Sequence, residues 1–156
     1  MAGKPVRKAT AVDEAVVSFG ARLLGRIDRW LYRRTGGNPK FSILARNTPS
    51  LLLTTTGRKS KQPRTTPVLY LGDGENYVIV ASKAGMPHHP QWYLNLEANP
   101  EAEVEIGAEK FPVRARKATP EEKEKYWPRL VAMHPDFALY KERTDRNIPY
   151  LILSRR

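Results

Sequence analysis

Apolar residues Val16, Gly20, Leu23, Leu24, Ile27 and Leu31 recur at helical spacing between Val12 and Arg34, while Arg22, Arg26, Arg29 and Arg33 repeat on another face. That period predicts one amphipathic helix over residues 12–34. Gly36, Gly37 and Pro39 stop it, and a linking turn is expected over Phe41 to Asn47 before the pattern changes.

From Leu51 onward the apolar residues fall into short β-forming runs: Leu51 to Thr56, Thr65 to Leu71, Tyr77 to Ser82, Glu103 to Gly107, Lys110 to Arg116 and Tyr150 to Ser154. Asp73-Gly74 and Gly107-Ala108-Glu109 are tight-turn sequences, so the strands flanking each are expected to pair as antiparallel hairpins. Two helices interrupt the series. One lies near Pro90 to Ala98. The other opens at Thr119-Pro120-Glu121-Glu122, where Thr119 caps, Pro120 suits the first turn and Glu122 completes a capping box. It should run to about Met133, with a further turn or two after Pro135. The pattern predicts an α+β domain over residues 12–156, a small and mostly antiparallel barrel decorated by helices. Residues 1–11, basic and Pro-containing, are expected to form an arm without fixed structure.

A chain of 156 residues suits one such domain. The absence of cysteine removes disulfides, thiolate nucleophiles and Cys-ligated metal centres from consideration. Charges interrupt every apolar stretch between Ala11 and Arg34, so the N-terminal part reads neither as a signal peptide nor as a membrane span, and a cytoplasmic protein is expected. The net charge is +11, and its distribution is informative: residues 1–64 carry 14 Lys and Arg against 3 Asp and Glu, whereas residues 65–156 carry 13 of each sign. So lopsided a field points to an anionic partner for the N-terminal part: a phosphate-bearing cofactor, an acidic lipid surface or nucleic acid.

The segment Gly57-Arg58-Lys59-Ser60-Lys61-Gln62-Pro63-Arg64 places four cations and a hydroxyl between the first two strands. Guanidinium and ammonium groups give charge-assisted bonds to phosphate or carboxylate, and Gly57 lets backbone N–H groups approach a ligand; a solvated hairpin tip is the plainer reading. Ser82-Lys83-Ala84-Gly85 leaves the third strand and leads through His88-His89 to Gln91-Trp92-Tyr93. Small residues there leave room for a flat ligand, with Ser82 able to hydrogen-bond a ring carbonyl and Trp92 to pack on the ring, although Trp92, Tyr93, Leu94 and Leu96 suit a core equally. Adjacent His88 and His89 diverge, and with His134 as the chain's only other histidine no metal site is expected. No G-x-S-x-G elbow is present for a hydrolase, and Glu101, Glu103 and Glu105 alternate along a strand as its solvent face.

Thr54-Thr55-Thr56-Gly57-Arg58-Lys59-Ser60, Pro63-Arg64, Ala81-Ser82-Lys83, His89-Pro90-Gln91-Trp92-Tyr93-Leu94-Asn95-Leu96 and Ala98-Asn99-Pro100 follow in order, with Tyr126-Trp127-Pro128 and Thr144-Asp145-Arg146-Asn147-Ile148-Pro149 beyond them. Over about residues 15–154 these blocks resemble the deazaflavin-dependent nitroreductase family of F420H2-dependent reductases from actinobacteria. The resemblance implies a split β-barrel of the flavin reductase or pyridoxamine phosphate oxidase type. Coenzyme F420 is the implied cofactor, favoured over the FMN of related split barrels. Arg58, Lys59 and Arg64, joined by Ser60 and Lys61, would hold the coenzyme's phosphodiester and acidic tail. The implied ring pocket maps to Pro67, Ala81, Ser82, Lys83, Gln91 and Trp92. The implied acceptor, a quinone or nitroaromatic, would lie against Trp92, Phe137 and Tyr140. Family tyrosines over the acceptor correspond here to Phe137 and Tyr140, and the lost hydroxyl at Phe137 bears on nitroimidazole-type activity. Ser82 and Tyr140 are the candidate catalytic residues, one stabilising charge and the other delivering a proton.

A carrier that binds F420 or another flat anion without turnover is the rival reading. Specific nucleic-acid binding has no motif behind it and is not expected. The helix over 12–34 raises a further possibility, contact with an anionic membrane surface through Phe19, Leu23, Leu24, Ile27, Trp30 and Leu31, against which stands simple packing of that face on the barrel.

Overall fold

The computed structural model describes residues 6–42 and 47–156. Along the chain run α1 (Ala11–Thr35), a 3-10 turn (Pro39–Phe41), β1 (Ser50–Thr56), β2 (Pro63–Asp73), β3 (Asn76–Val80) and a second 3-10 turn (Lys83–Gly85). After these come α2 (Gln91–Ala98), β4 (Glu101–Ile106), β5 (Glu109–Lys117), α3 (Pro120–Met133), α4 (Asp136–Arg143) and β6 (Tyr150–Arg155).

The six strands close into a barrel in the order β1-β2-β3-β6-β5-β4, every pair antiparallel. Both expected hairpins form: Asp73 pairs with Asn76 across Gly74-Glu75, and Ile106 with Glu109 across Gly107-Ala108. In each turn the first central residue needs a positive φ, and glycine provides it, at 63° for Gly74 and 60° for Gly107.

Side chains alternate between two cores, as the two-residue period of a strand requires. Ile79, Leu151 and Leu153 point into the barrel with Leu51, Leu53, Val104 and Val113. Val78, Val80, Tyr150 and Ile152 point outward against Tyr126 and Leu130 of α3 and Phe137 of α4. Thr119 and Glu122 form the expected capping box at the start of α3.

The helix α1 departs from its expected packing. Gly25, Asp28 and Tyr32 are its buried residues, whereas Val12, Val16, Phe19, Leu23, Ile27 and Trp30 face solvent, Phe19 with 72% of its surface exposed. The apolar stripe therefore does not pack on the barrel. The helix is held by polar contacts instead. The Tyr32 hydroxyl lies 3.1 Å from the Ser50 carbonyl oxygen and 3.0 Å from that of Glu105, and it accepts the Gly107 N–H. Tyr32 thus fastens the end of α1 over the seam where β1 meets β4.

The described part of the N-terminal arm, residues 6–10, also differs from the free segment expected. Thr10 caps α1 with Asp13, the Ala9 N–H donates to the Arg143 carbonyl at 3.0 Å, and Lys8 pairs with Asp145 at 2.6 Å. Residues 1–5 of that arm and 43–46 of the expected linking turn lie outside the described residues.

Candidate functional site

The loop between β1 and β2 is braced from within. The Gly57 N–H donates to the Gln62 carbonyl and the Lys61 N–H to the Gly57 carbonyl, both at 2.8 Å. A Cβ on Gly57 would lie 2.4 Å from Ser60 Oγ and 3.2 Å from the Gln62 carbonyl oxygen, so glycine is what lets the loop fold this tightly. The Arg58 N–H donates to Asn95 Oδ1 at 3.1 Å and its guanidinium to Gln91 Oε1 at 2.8 Å. Asn95 is buried and donates in turn to Thr55 Oγ1 at 3.0 Å. Neutral oxygens therefore position Arg58 and leave its charge uncompensated.

Arg58, Lys59, Ser60 and Arg64 form one wall of a groove of about 820 Å³, and Arg22, Arg26, Arg29 and Arg33 of α1 form the other. Seven cations and no carboxylate line it. Arg29 donates to the Thr65 carbonyl at 3.1 Å, and Arg33 alone among the seven has an ion-pair partner among the described residues, Glu105 at 2.8 Å. Concentrated like charge of this kind is electrostatically unfavourable without an anion between its walls.

The groove opens into a cavity of about 610 Å³, the two sharing Arg22, Arg29, Thr66, Gln91 and Trp92. Pro67, Ser82, Lys83, Phe137 and Tyr140 also line this cavity. Of the residues singled out from sequence, Lys61 and Ala81 are the two that the structure does not bring to either space. Lys61 sits at the loop corner with φ 57°, and Ala81 is fully buried in the barrel core. Trp92 is buried in that core and also lines both spaces.

The turn after β3 is strained. Lys83 and Ala84 take φ values of 45° and 52°, which side chains with a Cβ rarely adopt, and Gly85 follows at 73°. Arg146 props it from beneath, its guanidinium donating to the carbonyl oxygens of Ser82 at 2.6 Å and Met86 at 2.9 Å. From above, Glu14 of α1 binds the Lys83 ammonium and accepts from His88. Burial pushes the Glu14 carboxyl up, but the hydrogen bonds from Lys83 and His88 outweigh it and bring the carboxyl down to about 2. Glu14 of α1 thus engages the Lys83 charge, while Lys83 itself lines the cavity as expected of the ring pocket.

Sequence reasoning missed several lining groups. The arginines of α1 are one set, assigned to a face without a known neighbour. Another is His134, a buried wall residue whose Nδ1 lies 3.3 Å from Thr48 Oγ1 and whose ring stacks edge-on to Phe137 at 5.0 Å. The sequence alone points to His134 only as a possible metal ligand, which its spacing does not support. Its place on the segment between α3 and α4, three residues before Phe137, was the available signal.

Residues 24–155 match the family model described as F420H(2)-dependent quinone reductase. An F420H(2)-dependent quinone reductase of Mycobacterium tuberculosis is 41% identical over 140 residues, covering 88% of this chain and 93% of that protein. Among solved structures, an F420-H2 dependent reductase (FDR-A) superposes with a TM-score of 0.63 at 41% identity, covering 68% of this chain and 94% of that one. A second, described as a domain-swapped dimer, gives 0.64 at 34% identity over 92% of this chain and all of the other.

Proposed function

The chain belongs to the F420H(2)-dependent quinone reductase family, and from that footing we propose that coenzyme F420 lies along the cationic groove with its redox ring in the adjoining cavity. The observation that carries this reading is the groove itself, seven cations without a carboxylate leading directly to the cavity lined by Pro67, Ser82 and Trp92. Such a donor set fits a phosphodiester and an acidic tail. Bound in reduced form, the coenzyme supplies a hydride.

The chain's own residues do the remaining work. Arg58, Lys59 and Arg64, with Ser60, grip the anionic end, and Arg22, Arg26 and Arg29 close over it from α1. The Ser82 hydroxyl stabilises developing charge on an oxygen of the ring or acceptor. Trp92 and Phe137 hold a flat acceptor and exclude water, and Tyr140 delivers the proton, with His134 beside it at 6.0 Å between ring centroids. The acceptor class is a quinone or similarly activated carbonyl. Nitroaromatics are the weaker candidates, because Phe137 brings no hydroxyl to that wall.

Single-turnover oxidation of bound F420H2 by menadione tests the reading. Ser82→Ala should slow that step about 100-fold, the scale of losing one donor to a developing oxyanion, with the F420 dissociation constant unchanged. Tyr140→Phe should slow it as well. Tight binding without acceptor-dependent oxidation would make the protein a carrier, and unchanged oxidation in Tyr140→Phe would remove Tyr140 from the proton path.

The exposed row on α1 favours one further reading, contact with an anionic membrane surface from which a lipid quinone is reached. Six large apolar side chains point away from the barrel, with Arg34 stacked on Trp30 among them and Arg26 and Arg33 beside them. Among the described residues no helix is long and apolar enough to cross a membrane. In liposome flotation the full chain should rise with anionic vesicles and a variant bearing Phe19→Ser, Leu23→Ser and Trp30→Ser should not. Equal behaviour assigns the row elsewhere, a second copy of the chain being the alternative that the domain-swapped relative suggests.

A further inference from the structure

Behind Val80, Ser82 and Phe137, which also wall the ring cavity, a second cleft of about 910 Å³ opens between α3, α4 and the segment leading into β6. Its aromatic surfaces are Trp127 and the buried Tyr150, and an ammonium lies over each ring. Lys141 is 4.7 Å from the Trp127 centroid and Lys123 is 5.0 Å from that of Tyr150. Lys123 donates to Asn147 Oδ1 at 2.8 Å and the Ile148 carbonyl at 2.9 Å, both neutral. Arg146, at the base, gives its guanidinium to the Ser82 and Met86 carbonyls and to His89.

Among the described residues none of these three cations has an ion-pair partner. Lys8 at the rim does have one, Asp145, and Glu124 is the other acid on the lining. Burial holds both the Lys123 ammonium and the Arg146 guanidinium below their ordinary values; the neighbouring Lys141 charge adds to the effect at Lys123, and Glu14 partly offsets it at Arg146. Rings flanked by unneutralised cations make a surface that is apolar in its floor and positive at its edge.

We propose that this cleft binds a planar organic anion, an aromatic carboxylate whose ring lies against Trp127 and Tyr150 and whose carboxylate meets Lys123 and Lys141. The site is separate from the coenzyme groove and does not rest on the coenzyme reading. It is coupled to the ring cavity all the same, because Arg146 reaches from the cleft to the Ser82 carbonyl.

Isothermal titration of the full chain with 2-naphthoate tests this, beside neutral 2-naphthalenemethanol. Saturable binding of the naphthoate, tighter than that of the alcohol, is expected. Lys123→Gln with Lys141→Gln should weaken the naphthoate about tenfold and leave the alcohol unchanged, the loss that charge-assisted contacts predict. Lys141→Gln alone, at an exposed position, serves if the double variant unfolds, with a smaller loss in the same direction. Saturating F420 should not displace the probe. No binding, affinity indifferent to both variants, or displacement by F420 each overturns the assignment, and the variant comparison stands whether or not F420 itself binds.

Discussion

Replacing Arg58, Lys59 and Arg64 together by glutamine weakens F420 binding about 100- to 1000-fold in a fluorescence titration at fixed ionic strength, while thermal unfolding changes little. Charge-assisted hydrogen bonds contribute on the order of 1.5–3 kcal/mol each, and three that share one ligand fall short of additive. The variant stays folded because the loop is closed by its own backbone bonds from Gly57 to Gln62 and from Lys61 to Gly57, neither of which uses these side chains. Residual binding is expected from Arg22, Arg26 and Arg29 on the opposite wall. A loss below about threefold would place the anionic end of the coenzyme elsewhere.

The second large effect is on stability. Gly85 sits at φ 73°, and a Cβ there would meet the Tyr140 carbonyl oxygen at 2.6 Å and Tyr140 Cα at 3.1 Å, backbone atoms that cannot swing aside. Gly85→Ala therefore combines a left-handed conformation, about 1–2 kcal/mol, with overpacking of about 1–3 kcal/mol. For a domain of this size the sum, about 2–5 kcal/mol, lowers Tm by roughly 6–15 °C. Gly74→Ala is the control: its φ is 63°, but nothing lies within 4 Å of the added carbon, so only the conformational part is lost. Calorimetry showing equal losses for the two variants would mean that the turn after β3 is not locked against α4. Since α4 carries Phe137 and Tyr140, Gly85→Ala should also slow acceptor reduction in whatever protein remains folded.

Much of the barrel was legible from short-range chemistry. Asp73-Gly74 and Gly107-Ala108 mark hairpins because a two-residue turn demands a backbone shape that few residues tolerate. Thr119 with Glu122 marks a helix start because the two side chains satisfy backbone donors reciprocally. The cationic character of the β1–β2 loop was legible for the same reason, since its charges and its glycine are contiguous, and the structure gathers Arg58, Lys59 and Arg64 on one groove. The orientation of α1 was not. A row of six apolar side chains ordinarily turns inward, yet here the surface beneath the helix is a charged groove, so the small Gly25 and the polar Asp28 and Tyr32 face the barrel and the arginines line its edge. Periodicity reports that two faces differ and is silent on which one the tertiary structure covers. The partner of Lys83 was not legible either, because Glu14 lies 69 residues away in sequence and only the fold brings it to that ammonium.

The most direct measurement is a side-by-side fluorescence titration of the unmodified protein with F420 and FMN. Saturable binding of F420, clearly tighter than FMN and weakened by added salt, is the predicted result, because the groove offers more cations than the single phosphate of FMN can engage. No measurable affinity for F420, or equal affinity for the two, would contradict the assignment of the cationic groove to that coenzyme.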